Sequence, residues 1–232
     1  MKRNEEGTSV SDKNNQSRAK RVLVVTAVSA EREAVMRGLK GASHVDVLVA
    51  GVGPVAAAAS TAAALARTEY DLVVSAGIGG GFAGRAEVGT LVVAEEIICA
   101  DLGAETEEGF CGLDELGFGT ARFRVEKGLV LRVTEAVRAA GLPVTAGPVL
   151  TVSTVTGTAS TAARLAARVP GAAAEGMEGF GVATAARNRG IPVLEIRAIS
   201  NVVGPRDRSA WRIDEALEKL AATISVLQEV IL

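Results

Sequence analysis

Apolar and polar positions alternate along this chain on two scales. Short β-branched runs at Arg21–Val28 (RVLVVTAV), Val45–Ala50, Asp71–Ala76, Gly89–Ala100 and Val144–Val152, and a last run from Pro192 to Asn201, have the length and composition of buried strands. Between them lie segments of helical spacing at Glu31–Leu39, Glu126–Ala140, Thr158–Arg168 and Gly179–Arg189, and Asp214–Ile231 closes the chain as an amphipathic helix. Ser29 can cap the first of these, and an Ala-rich helix begins near Pro54, a residue suited to the first helical position. Strands alternating with helices predict an α/β fold whose mainly parallel or mixed sheet is covered on both faces.

The pattern lapses in two places. Residues 1–20 are polar and of mixed charge, which reads as a disordered extension ahead of one domain over 21–232. Asp101–Thr120, DLGAETEEGFCGLDELGFGT, is rich in glycine and acids and reads as a long loop, a feature more often functional than idle in a compact domain.

In open α/β sheets, sites form at the carboxyl ends of strands. That rule points to Val28-Ser29, Gly51-Val52-Gly53, Gly77–Gly81, Thr151–Val155 and Ser200-Asn201. Glycines directly after a strand permit close approach to a ligand and leave amides free to donate, although a tight turn alone would also use them. A GxGxxG phosphate fingerprint does not fit here, and no ribose-binding acid follows about 20 residues on, so a dinucleotide cofactor is not expected.

Composition narrows the chemistry. The formal net charge of -2 gives no reason to expect nucleic acid or an anionic membrane as partner, and no apolar run approaches the roughly 18 residues of a membrane span. Cys99 and Cys111 have neither a CxxC nor a Cys/His ligand spacing, and His44 is the sole histidine. A disulfide framework, a histidine-based zinc site and a Ser-His-Asp triad are therefore not expected; no metal or cofactor is, and catalysis falls to carboxylates. With no secretory h-region at the N-terminus, the expected location is the cytoplasm. Glu175 and Glu178, in AAAEGMEGFG, lie where a helix begins; they are either first-turn acids facing the helix dipole or members of a site.

Five segments, T-A-V-S-A-E ending in Glu31, A-G-V-G-P-V-A-A-A, S-A-G-I-G-G-G-F, E-G-M-E-G and R-A-I-S-N, occur in an order that resembles the nucleoside phosphorylase and nucleosidase superfamily. The resemblance implies a nucleoside phosphorylase-like three-layer α/β/α sandwich with a mixed central sheet. It implies that Glu31 orients an attacking water, that Met177 and Glu178 hold the ribose hydroxyls, that Asn201 meets the purine base, and that Gly79 and Val155 lie against the substrate. Ile78 stands where phosphorylases commonly have a serine, which favours water over phosphate. Asn201 stands where adenine-specific nucleosidases have an aspartate; a neutral amide can donate to the carbonyl of a 6-oxopurine, which a carboxylate repels.

D-L-G-A-E-T, L-D-E-L-G-F-G and N-V-V-G-P-R-D-R-S-A-W-R-I further resemble the futalosine hydrolases, which release hypoxanthine from futalosine on a route to menaquinone. That likeness makes a nucleoside the expected substrate and a homo-oligomer, dimer or tetramer, the expected assembly. Arg206 and Trp211 become candidates for the carboxylated aromatic arm at the ribose 5′ end. Asp207 becomes a candidate for assisting base departure, by holding Asn201 or a water near N7. The alternatives are a methylthioadenosine/S-adenosylhomocysteine nucleosidase and a non-catalytic nucleoside-binding relative.

Overall fold

Strand β1 (Val22–Thr26) is buried at every position, because helices cover both faces of the sheet around it. It runs parallel to β2 (Val45–Val49) on one side and β3 (Leu72–Gly81) on the other, with Val24 opposite both Val47 and Val74. The computed structural model describes residues 20–231, so the expected N-terminal extension lies, apart from Lys20, outside the described residues.

Beyond β3 the sheet rolls up. β10 (Val193–Val202) is parallel to β3 and antiparallel to β4 (Leu91–Cys99), and β4 is parallel to β8 (Val144–Thr151). β9 (Ala174–Gly176) pairs with β8 in parallel and returns antiparallel to β3. Strands β3, β10, β4, β8 and β9 therefore close a ring, from which β1 and β2 extend. The sheet is mixed, as expected, and the closure adds to the layered picture.

Alternation along β1 sorts the helices. Val22 and Val24 join the core under α1 (Ser29–Leu39), α3 (Lys127–Ala139) and α6 (Ile213–Val230), where Leu220, Ile224 and Leu227 are fully buried. Leu23 and Val25 face Ala57 and Leu65 of α2 (Pro54–Arg67) and Val182 and Ala186 of α5 (Gly179–Arg187). α4 (Ala159–Arg168), capped by the Thr158 side chain, sets Leu165 against Phe82, Leu150 and Val152. Among the described residues no helix is long and apolar enough to cross a membrane.

Four details differ from the sequence pattern. α1 starts at Ser29 itself, and the Glu31 carboxylate, rather than the Ser29 hydroxyl, takes the amides of Ala27 and Val28. The glycines 77–81 are the last residues of β3 rather than a turn, paired along β10 from Arg197 to Val202. The stretch 101–120 holds a small hairpin, β5 (Gly103–Thr106) with β6 (Gly109–Gly112). β7 (Arg122–Arg124), on the edge of β4, and β9 are three-residue strands too short for periodicity to mark.

Candidate active site

Three carboxylates converge where β1, β3, β9 and β10 end. Glu31, Glu175 and Glu178 line a cavity of about 360 Å³ walled by Ala27, Val28, Val52, Val155, Met177 and Trp211. A cleft of about 420 Å³ adjoins it through Val155 and one of about 510 Å³ lies elsewhere on the described surface, but each has a single carboxylate in its lining, so chemistry rather than size selects the smaller one.

Glu31 is held from two elements. Its Oε2 accepts from the Ala27 amide at 2.8 Å and the Val28 amide at 3.3 Å, and its Oε1 accepts from the Ile78 amide at 2.9 Å. Fixed in this way at the first turn of α1, the buried carboxylate has a defined orientation into the cavity. Glu178, at the N-cap of α5, accepts from the Gly53 amide through Oε1 at 3.2 Å. Its Oε2 accepts from the Met177 amide and from Arg197 Nη1, both at 3.3 Å.

Arg197 is the buried cation of the site, 2% exposed. Nη1 also donates to the Ile78 carbonyl at 3.4 Å, Nη2 to Ser75 Oγ at 3.3 Å, and Nε to Glu195 Oε1 at 2.8 Å. Burial alone would push this guanidinium down, but the charges of Glu195, Glu178 and Glu31 outweigh it and hold its pKa above the ordinary arginine value. Space for it comes from glycine: a Cβ at Gly77 would stand 2.5 Å from Glu31 Oε1 and 2.8 Å from Arg197 Nη1, and one at Gly176 would stand 2.9 Å from Arg197 Cζ. The glycines of β3 and β9 thus form a slot in which acids and guanidinium meet.

Glu175 faces the cavity but is turned toward Thr156, whose amide donates to Oε1 at 2.9 Å and whose hydroxyl donates to Oε2. This pair ties the 151–157 segment, and with it Val155, to β9. Burial pushes the Glu175 carboxyl above its ordinary range, and the Thr156 hydrogen bonds only partly offset that.

Asn201 reaches the cavity through an irregularity. Ile199 pairs with Gly79 and Asn201 with the next residue, Gly80, so Ser200 is an extra residue in β10. Neighbours on a regular strand point to opposite faces, yet Ser200 and Asn201 both line the cavity, with Ser200 Oγ donating to Asn201 Oδ1 at 2.9 Å. Asn201 Nδ2 donates to the Val202 carbonyl at 3.1 Å, which leaves its second N–H free of that bond.

The structure brings Glu31, Gly79, Val155, Met177, Glu178, Asn201 and Trp211 to one cavity. Arg206 and Asp207 do not line it. The Arg206 guanidinium lies over the Trp211 ring, 5.4 Å from its centroid, and its stem passes Gly157. Asp207 is exposed and accepts from the amide and hydroxyl of Ser209, bonds that hold its pKa below the ordinary value. Sequence reasoning passed over Glu195 and the charge on Arg197. The signal was present: two charges two apart in an otherwise apolar strand must share one buried face.

A cluster with more carboxylates than cations, walled by apolar side chains, suits a reaction in which positive charge develops on a bound group. Comparison with known proteins places the chain in a family. The sequence profile of the phosphorylase superfamily matches residues 16–232. The chain is 53% identical over 230 residues to the futalosine hydrolase of Streptomyces coelicolor, covering 90% of this chain and 96% of that protein. It is 47% identical over 218 residues to the futalosine hydrolase of Acidothermus cellulolyticus, covering 88% and 89%. In three dimensions it resembles the 5′-methylthioadenosine/S-adenosylhomocysteine nucleosidase of Neisseria meningitidis, with a TM-score of 0.80 at 20% identity over 91% of this chain and 100% of that one, a likeness of fold. With its glycine-lined carboxylate site and these relatives along nearly its whole length, the chain belongs to the phosphorylase superfamily and, within it, to the family of the futalosine hydrolases.

Proposed function

We propose that this protein hydrolyses the N-ribosyl bond of futalosine, releasing hypoxanthine and dehypoxanthine futalosine on a route to menaquinone. The observation that carries this reading is the meeting of Glu31, Glu178 and the neutral amide of Asn201 in one cavity, in a chain 53% identical to a futalosine hydrolase.

Glu31 orients a water toward the anomeric carbon and takes its proton as the new C–O bond forms. The C–N bond breaks with its electron pair moving onto the purine, which takes a proton from solvent or from a group near N7. As in glycoside hydrolysis, the sugar gains positive charge on the way, and nearby carboxylates lower that barrier. Glu178, with Met177 beside it, accepts from the ribose hydroxyls. Asn201 donates to the 6-oxo group of the base, against Val155 and Gly79. Trp211, with Arg206 stacked on it, receives the aromatic carboxylate arm. Asp207 supports base departure through the loop it caps. A floor of carboxylates and the apolar Ile78 disfavour phosphate as nucleophile. The protein acts in the cytoplasm as a homo-oligomer, dimer or tetramer; the exposed Val55, three residues along the chain from the exposed, cavity-lining Val52, supports a covered rim.

The test is incubation with futalosine and, separately, methylthioadenosine in phosphate-free buffer, with the released base identified by chromatography. Hypoxanthine from futalosine alone is expected. Adenine from methylthioadenosine would reassign the chain to the adenine nucleosidases, and release only on adding phosphate would make it a phosphorylase.

A further inference from the structure

Glu195 and Arg197 project from the same face of β10, both sequestered from solvent, at 0% and 2% exposure. A buried acid costs stability unless it is paired and hydrogen-bonded, and apolar residues often fill such a position as well or better. Glu195 is only half satisfied. Its Oε1 accepts from Arg197 Nε, while Oε2 has no hydrogen-bond partner among the described residues. The groups facing it are Arg197 on its own strand, Ser75 opposite it on β3, and Glu178 with Gly179 at the start of α5. Burial raises its pKa and Arg197 only partly offsets that; what the geometry shows is an acceptor, Oε1, held on Arg197 Nε.

What that bond does follows from the guanidinium, a planar fork whose donors turn together. With Nε fixed on Glu195 and Nη2 on Ser75, Nη1 has one direction left, toward Glu178 Oε2 and the Ile78 carbonyl. Glycine at 179 is part of the same arrangement. A Cβ there would overlap the Glu195 carboxylate, although the residue sits in the first turn of α5, where alanine is otherwise the better helix former.

We propose that Glu195 is a positioning residue for the ribose-binding carboxylate: it sets the plane of Arg197 so that Nη1 meets Glu178, and residue 179 is glycine in order to admit it. The consequence for turnover rests on the role proposed for Glu178. Against it stands a role in which Glu195 merely fills space beneath α5.

Three variants separate the two. Glu195→Val removes the acceptor and opens a gap; Glu195→Val with Gly179→Ala refills the gap without restoring the acceptor; Glu195→Gln keeps an acceptor for Nε. Positioning requires the double variant to recover the Tm lost in Glu195→Val while kcat/KM for futalosine stays down by about tenfold or more, the scale of one charge-assisted hydrogen bond. It requires Glu195→Gln to stay within about threefold of wild type, well inside the worth of one such bond. Wild-type kcat/KM in the double variant overturns the proposal, as does a loss in Glu195→Gln equal to that in Glu195→Val. Should the double variant fail to fold, the glutamine and valine comparison decides. Absence of hypoxanthine release by the wild type sinks the functional reading instead; inosine affinity by calorimetry, which needs no turnover, then ranks the same variants, and equal affinities overturn the positioning role.

Discussion

The Gly53 amide donates to Glu178 Oε1 across 125 residues of chain, at 3.2 Å, so the β2–α2 turn and the start of α5 share one carboxylate. Replacement by glutamine would leave at most one oxygen for Gly53 and turn an N–H toward Arg197, donor against donor. Glu178→Gln is expected to lower kcat/KM for futalosine by about 10²–10³, the scale of removing one preorganised electrostatic contact to the transition state. Hypoxanthine release with unchanged Tm is the measurement; a loss below tenfold would take Glu178 out of the ribose site.

Glu31 acts on water rather than on substrate in the proposed mechanism. Glu31→Gln should therefore cut kcat by about 10²–10⁴, the usual contribution of a general base, and leave KM nearly as it was. A KM that rises while kcat holds would make Glu31 a binding residue.

In the proposed mechanism base choice is carried by the amide at 201. Asn201→Asp places a carboxylate against the 6-oxo group, and futalosine turnover should fall by about tenfold or more, as one favourable hydrogen bond becomes a repulsion. Competition between futalosine and methylthioadenosine, read as hypoxanthine against adenine, shows whether selectivity shifts as expected.

Arg206 and Trp211 form a stacked pair at the cavity edge. Arg206→Ala should raise KM by about tenfold with kcat little changed, since one charge-assisted contact to the arm is lost far from the bond that breaks. In the same assay, a tenfold fall in kcat for Asp207→Asn would support its part in base departure, and an unchanged kcat would assign it to the Ser209 cap.

Stability should depend on pH through Glu175. Its folded pKa lies above the ordinary 4.5, so the folded protein holds that proton more tightly than the unfolded chain does. The contribution is complete below 4.5 and is lost as pH rises through the folded value. Glu175→Gln cannot titrate, so the Tm advantage of wild type over the variant should shrink as pH rises above that window's lower edge. A gap independent of pH would show that the raised pKa has no energetic consequence.

Much of the fold was legible in the chain because it rests on apolar period. β1, β2, β8 and the six helices lie within a residue or two of where hydrophobic runs and caps place them. The glycine-rich end of β3 misled because glycine signals a turn locally, whereas here it answers the bulk of Arg197 on a neighbouring strand far away in sequence. Ring closure through β9 was equally hidden, since three residues carry no period. In the site, Glu31, Glu178 and Asn201 were readable as residues, but the guanidinium that joins Glu178 to Glu195 required the register of β10 against β3.

The extra residue at Ser200 makes the setting of the Asn201 amide a matter of counting as well as of chemistry. Losing Ser200 would leave Ile199 facing Gly79 and Asn201 facing Gly80, but it would straighten the strand and remove the hydroxyl that donates to Asn201 Oδ1, so the amide would lose that anchor while its identity stayed untouched. Gene shuffling between this chain and its relatives should therefore keep the length of that strand intact before any attention is given to which side chains it bears. A library that varies residue 201 but also permits single-codon gaps beside it would confuse altered base preference with simple loss of the contact.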